Sequence, residues 1–282
     1  MSLRKALEFL KASGEKHCYF QDGKAFVKAS AGYWEYPIKE VFTGSCRINS
    51  FLDILKHNEE FEIIVLPDGL QIKVQNLLET KTFELEKAPY QQIPMECNFD
   101  TNVLIEPAFF TALAQVLPFS EENGVKEMTN HIWFHDSFCV GTDSKILSEA
   151  SGVGTIQGLL PTKALKKLVK MKIKPDYYSE KERSFFFHWD SGAFCRIVKS
   201  KLQPQENYKN LFQCETFESA LRYRLFLTDQ PEIKIGESTF ETKLLKKVFD
   251  VAEFIGFSNG NLEFNGNGFR GILGGAQVEE MG

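Results

Sequence analysis

The chain has 282 residues, 43% of them hydrophobic and 25% charged, with a formal net charge of −5. That length buries a sizeable core and accommodates two or three domains. Net acidity excludes a nucleic-acid binder acting through bulk basic charge, but not one whose cations are locally clustered. No apolar run approaches the ~20 residues needed to span a bilayer. Residues 1–16 mix Arg4, Lys5, Glu8 and Lys11 among leucines and lack the uninterrupted apolar stretch of a secretory signal. A cytoplasmic protein without membrane contact is expected.

In chain order, residues 3–12 carry a helical stripe, and 18–20, 24–29 and 33–38 alternate as strands. Residues 44–48 are a short strand, and 50–58 a helix for which Ser50 is the expected N-cap. Strands follow at 61–66, 70–74 and 82–85, with a turn at Pro67, Asp68 and Gly69. The order then returns: a strand at 102–105, a helix over 106–119 with Pro107 in its first turn, and strands at 131–134, 138–141 and 146–150. A strand over 155–160 leads into a helix over 161–171, also opening on a proline, and strands at 177–179, 184–189 and 193–199. The last copy takes 232–235 as its strand, 240–251 as its helix, and 254–258, 262–265 and 269–273 as its meander.

About five copies of strand, helix and three antiparallel strands make internal repetition the organising feature. One copy is too small to be stable alone, and two give a domain of about a hundred residues. The polar, proline-containing stretches 87–100 and 203–213 are the natural boundaries. The expected fold is α+β, with domains over 1–95, 96–213 and a shortened 214–282 in which 214–229 is the remnant of a lost half.

Residues that suggest chemistry resolve into structural roles. Cys18, Cys46, Cys97, Cys139, Cys195 and Cys214 are scattered, without a CxxC pair, and are expected as free thiols. His131 and His135 share a strand face but sit ~13 Å apart along an extended strand, too far to share a metal. The Asn259-Gly260 and Asn265-Gly266 pairs are expected hairpin turns rather than a phosphate loop. Asp136, Asp143 and Asp190 flank strands at turns, where aspartate bonds locally. No nucleophile arrangement stands out, so no catalytic residue, cofactor or metal is assigned.

A βαβββ unit used twice per domain resembles the DNA sliding clamps of bacteria and phage. The resemblance is carried by Val140–Ser148, which keeps Thr142, Asp143 and Leu147 of a Thr-Asp-Gly-His-Arg-Leu-Ala turn but has Ser144, Lys145 and Ile146 in its middle. It is carried also by Pro161, Lys163, Leu165, Lys166 and Lys167 at a helix start, and by Pro204 and Tyr208 at a domain exit. It covers roughly 101–211 well and the rest in pattern only. The resemblance implies helices on a concave face around duplex DNA, antiparallel sheets outside, and a closed homo-oligomeric ring rather than an enzyme. The lining would use Arg4, Lys5, Lys11, Lys56, Lys163, Lys166, Lys167, Lys170, Lys172, Lys243, Lys246 and Lys247 on phosphates, independently of sequence. It further implies a peptide pocket for a DNA polymerase or clamp loader, formed by Thr142, Lys145, Leu147, Pro204, Leu211, Ile272 and Leu273. The alternatives are a clamp-fold interaction module that does not encircle DNA, and an enzyme with a dispersed site.

Overall fold

The computed structural model describes residues 2–277 except 30–31, 57, 59, 76–78, 96–101, 203–205, 225–226 and 228; Cys97 and Pro204 lie outside the described residues. The elements fall into copies of one motif, A to F. Copy A is α1 (Leu3–Lys11), β1 (His17–Gln21), β2 (Lys24–Ala29) and β3 (Gly32–Pro37). Copy B is β4 (Gly44–Arg47), α2 (Ile48–Leu55), β5 (Phe61–Leu66), β6 (Gly69–Gln75) and β7 (Thr80–Glu86). Copy C is β8 (Val103–Leu104), α3 (Pro107–Val116), β9 (His131–His135), β10 (Phe138–Thr142) and β11 (Ile146–Ser151). Copy D is β12 (Gly158–Pro161), α4 (Thr162–Lys170), β13 (Tyr177–Lys181), β14 (Ser184–His188) and β15 (Phe194–Val198). Copy E is cut down to β16 (Glu218–Ser219), α5 (Leu221–Arg224) and β17 (Glu232–Ile235). Copy F is β18 (Ser238–Glu241), α6 (Thr242–Phe249), β19 (Phe254–Ser258), β20 (Asn261–Gly266) and β21 (Phe269–Gly274), followed by β22 (Ala276–Gln277).

The expected α+β fold of repeated βαβββ units is borne out, and every strand pairing is antiparallel. Two eight-stranded sheets run β4-β1-β2-β3-β15-β14-β13-β8 and β12-β9-β10-β11-β21-β20-β19-β16. Each is a palindrome of copies: two three-strand meanders meet at their third strands, and each outer edge is the leading strand of another copy. Smaller sheets hold β5-β6-β7 and β17-β18-β22. The chain divides into two units, Met1–Ile105 with Lys166–Val198, and Glu106–Leu165 with Lys199–Gly282. Each contains one large sheet.

Local chemistry accounts for most of the elements. The first hairpins of copies A, C and F turn through Asp22-Gly23, Asp136-Ser137 and Asn259-Gly260, with positive φ at both central residues. This is the backbone that matches strand twist. α2 begins earlier than Ser50 because Ile48, Phe51, Leu52 and Leu55 form one buried stripe at helical spacing. Ser50 therefore sits exposed inside the first turn rather than capping it. Pro161 is the last residue of β12, not the first of α4, at a strand end where its missing N–H is tolerated. Asn265 and Gly266 end β20, and the turn falls on Asn267-Gly268. Phe240 belongs to the leading strand β18, which leaves 232–235 as the only meander strand of copy E among the described residues.

In the first unit, α1 packs on β2 and β3, where Phe9 meets Trp34 at 5.5 Å between ring centres and Trp189 at 4.8 Å. The opposite face of the sheet is also closed. Tyr19, Phe26, Tyr33, Phe186 and Phe194 form a buried cluster capped by Ala88 and Met95 of the boundary segment. At the third-strand junction, Gly32 allows a close approach: a Cβ there would stand 2.2 Å from the Arg196 carbonyl oxygen.

His188, buried in β14, has its Nε2 2.8 Å from the Ser179 hydroxyl, and burial holds its pKa down to about 4. A depressed histidine pKa adds stability that is complete above the unfolded value near 6.5 and is lost as pH falls towards about 4. Unfolding free energies of the wild type should therefore fall between pH 6.5 and 4 more steeply than those of His188→Gln, by no more than about 3 kcal/mol. Parallel curves for the two proteins would remove His188 as the cause.

Candidate nucleic-acid interface and peptide face

The basic residues expected to meet phosphate sit mainly on helices whose other face is buried. In α4, Ala164, Leu165 and Leu168 are buried, while Lys163 and Lys170 are exposed and Lys166 and Lys167 half-buried. The helix sequence TKALKKLVK contains no acid. In α6, Leu245, Val248 and Phe249 are buried, Lys243 and Lys246 exposed, and the helix again lacks an acid. Leu3, Ala6, Leu7 and Leu10 of α1 are buried, with Arg4, Lys5 and Lys11 on the exposed side. Lys56 caps α2 and is exposed. α3 has no basic residue.

Their electrostatic surroundings differ. Lys5, Lys11, Lys163, Lys170, Lys172 and Lys243 are exposed and have no ion-pair partner among the described residues. Arg4 pairs with Glu8 at 3.1 Å, Lys56 with Asp53 at 2.7 Å and Lys246 with Asp229 at 3.7 Å. Lys247 reaches Asp143 at 3.4 Å and lies 5.1 Å over the Phe119 ring. Lys167 donates to the Ser13 carbonyl at the end of α1. Lys174, which extends the basic run beyond α4, folds back on the helix terminus and donates to the Met171 carbonyl at 2.7 Å; burial lowers its pKa.

The residues expected to form a peptide pocket are partly brought together. Leu147 on β11 lies opposite both Thr142 on β10 and Ile272 on β21, so the three share the outward face of the second unit's sheet. Leu147 is half-buried, and Leu211 at the end of the 206–211 segment is 48% exposed. Thr142 Oγ1 accepts from the Ser144 N–H at 3.0 Å, and Asp143 Oδ1 accepts from the Ile146 N–H at 2.8 Å, which holds the turn. Lys145 is exposed and pairs with Glu241. Leu273 faces the other way: it lies opposite Ile146, both are buried, and it belongs to the core rather than the outward face.

The sequence did not reveal what occupies the rest of that face. Glu149, 3% exposed, is held at 3.0 Å by Arg270 on the adjacent strand and accepts the Tyr208 hydroxyl proton. With that proton committed, His135 Nε2 donates to the Tyr208 oxygen at 2.7 Å. Burial and the Glu149 carboxylate both raise the Tyr208 pKa. The Arg270 guanidinium lies 4.1 Å over the Phe212 ring. Further along, Glu263 accepts the backbone N–H groups of Gln213 and Cys214, each at 2.7 Å, and the Ser258 hydroxyl at 2.9 Å. The boundary segment is thus fastened along the sheet. A buried glutamate on a strand otherwise rich in small and apolar residues was the available signal.

Arg270 is the only cation paired with Glu149 among the described residues. Glu149 is buried but the Arg270 side chain is 44% exposed, so losing the cation costs less than the ~3 kcal/mol of a pair buried on both sides. Arg270→Ala should lower the denaturation midpoint accordingly and speed amide exchange across 206–214, whereas Arg270→Lys should recover part of the loss. Unchanged exchange in Arg270→Ala would show that the segment is held by other contacts.

No protein-family model and no curated protein sequence matches the chain. Solved structures do. The Helicobacter pylori beta clamp bound to a DNA ligase peptide aligns over 98% of both chains with TM-score 0.71 at 15% identity. The DNA polymerase sliding clamp of Pseudomonas aeruginosa aligns over 98% of this chain and 97% of its own, with TM-score 0.75 at 12% identity. The beta subunit of Streptococcus pyogenes DNA polymerase gives 0.72 at 10% identity over the same shares. The chain has the fold of the bacterial beta clamps.

Proposed function

We propose that this protein is a non-enzymatic, sliding-clamp-like processivity factor of the cytoplasm. In this reading it encircles duplex DNA as a homo-oligomeric ring and tethers a DNA polymerase and a clamp loader. The observation that carries the reading is the segregation of charge: α4 and α6, at equivalent places in copies D and F, bear lysines and no acid within a chain of net charge −5. Lys163, Lys170 and Lys243 of these helices are exposed and have no ion-pair partner among the described residues, which leaves their charge to favour a polyanion. Phosphate contact through helix side chains is sequence-independent, as a protein that travels along DNA requires. A topological link retains DNA without tight contact, so a modest number of unpaired lysines suffices.

The three-part division at 95/96 and 213/214 is retained as the pairing of copies A with B, C with D and E with F. Partner peptides would lie on the outward face at Thr142, Leu147, Leu211 and Ile272, where aliphatic side chains offer burial beside a hydroxyl. An interaction module on the same fold, without encirclement, is the competing reading. It is favoured by the uncharged α3.

Replacing Lys163, Lys170 and Lys243 together with glutamate should weaken duplex binding on the order of tenfold or more and flatten the dependence of log K on log salt. These side chains are exposed, so the fold should persist. Unchanged affinity and salt slope would favour the interaction module. Separately, Leu147→Ala and Leu211→Ala should weaken capture of a polymerase or loader peptide while leaving duplex binding intact. Normal capture by both variants would remove the pocket.

A further inference from the structure

We infer that the open edge of β5 takes an extended, apolar and basic segment of a partner protein as an added antiparallel strand. The inference goes beyond the clamp reading and does not rest on DNA encirclement. In this fold the first strand of a meander is covered on its outer edge by the leading strand of another copy. β4 covers β1, β12 covers β9, β8 covers β13 and β16 covers β19, each antiparallel. Even the single meander strand of copy E, β17, is covered by β18. Copy A has no leading strand among the described residues, and its mate's first strand, β5, is the one whose outer edge is open there. The repeat itself therefore specifies what the edge is built to receive: a short antiparallel strand.

The open edge shows in the burial of the side chains. Beside a leading strand, core-side residues of the first strand are buried: Cys18 and Phe20 next to β4, Ile132 and Phe134 next to β12. On β5 the core-side residues are Phe61, Ile63 and Val65, opposite the buried Val74, Ile72 and Leu70. Phe61 and Ile63 are only half-buried, and Val65 is 50% exposed. An added strand covers them with its own alternate side chains and pairs the N–H and C=O groups of the edge. The other side sets the charge of the partner. Glu62, across from Lys73 on β6, and Glu60 just before the strand are both exposed and have no ion-pair partner among the described residues. Edges protected against pairing usually carry lysine or proline, and the strand FEIIVL has neither. The antiparallel register fixes the incoming segment from its N-terminus: apolar opposite Val65, β-branched opposite Ile64, apolar opposite Ile63, a cation opposite Glu62, apolar opposite Phe61, and a second cation beside Glu60. A second copy of β5 fits less well, because it brings no cation to Glu62.

The probe is a capped, fluorophore-labelled peptide of sequence Val-Thr-Val-Lys-Val-Lys, titrated against the full chain by fluorescence anisotropy. Saturable binding is expected, with amide exchange slowed across 61–66 and unchanged across 80–86, the other open edge of the same sheet. Val65→Lys and Glu62→Lys replace exposed residues, so the fold should persist, which circular dichroism checks. Each should weaken probe binding on the order of tenfold. A second probe with both lysines replaced by glutamate should prefer the Glu62→Lys chain to the wild type. Absence of saturable binding at millimolar probe would overturn the inference, as would protection that appears on β7 instead of β5. Normal affinity in Val65→Lys would overturn it too. A dimer of the chain that protects 61–66 without the probe, and excludes it, would assign the edge to a second copy and overturn the partner proposed here.

Discussion

In both large sheets the backbone ladder passes from one copy to another at a third strand, β3 to β15 and β11 to β21. A three-strand meander has two edges, and an open edge exposes unpaired N–H and C=O groups. Joining third strands closes one edge of each meander. The other is closed by a leading strand lent from another copy, as β4 is to β1 and β12 to β9. No copy is therefore complete alone, and the sequence repeat and the packed unit differ. The junctions share a chemical device. Glu35 on β3 accepts the Tyr33 hydroxyl at 2.6 Å and pairs with Lys24 at 3.1 Å; Glu149 on β11 does the same with Tyr208 and Arg270. In each case the tyrosine also touches a boundary segment or belongs to one, Met95 N–H donating to Tyr33 at 3.0 Å and Tyr208 lying in 206–211. The segments between paired copies are thus straps over the outward faces of the junctions.

The same constraint sorts the lysines. A helix on one face of such a sheet has one buried stripe and one exposed stripe, and the exposed stripe alone can meet a ligand. Residue type does not decide the role within that stripe. Lys167 and Lys174 satisfy carbonyls at helix ends, and Lys247 reaches a turn aspartate. Lys163, Lys170 and Lys243 keep their charge in solvent. A polyanion contacts the second group at little cost, whereas recruiting the first would orphan a carbonyl or carboxylate.

Strands were legible where alternation and turn chemistry agreed, as in β5 to β6 and β19 to β20, and helices where an apolar stripe had helical spacing. Errors fell where two elements abut without a turn. β18 runs directly into α6, and Phe240 fits either pattern. β4 runs directly into α2, so Ser50 looked like a cap although Ile48 already begins the stripe. The third-strand junctions were not legible, because they join residues far apart in sequence and leave no local periodicity. The outward face was legible only in part. Thr142, Leu147 and Ile272 converge because strands of known register carry them. Leu273 does not, since adjacent strand residues face opposite ways.

Copy E shows which parts of a repeat its neighbours need. Its mate, copy F, takes two things from it: β16 closes the outer edge of β19, and β17 pairs with β18. Both are present. The second and third meander strands have no counterpart in copy E among the described residues, and the third is the strand that elsewhere serves a different copy, as β3 serves β15. The shortening therefore leaves the E–F pair internally satisfied, and its whole consequence is displaced to one edge. The edge so created carries isoleucines at 233 and 235 between charged residues at 232 and 234, an alternation with one side to cover and one to solvate. An edge that had merely lost its neighbour would be expected to gain charge on both sides, the usual protection against unwanted pairing. This one retains an apolar side on Ile233 and Ile235.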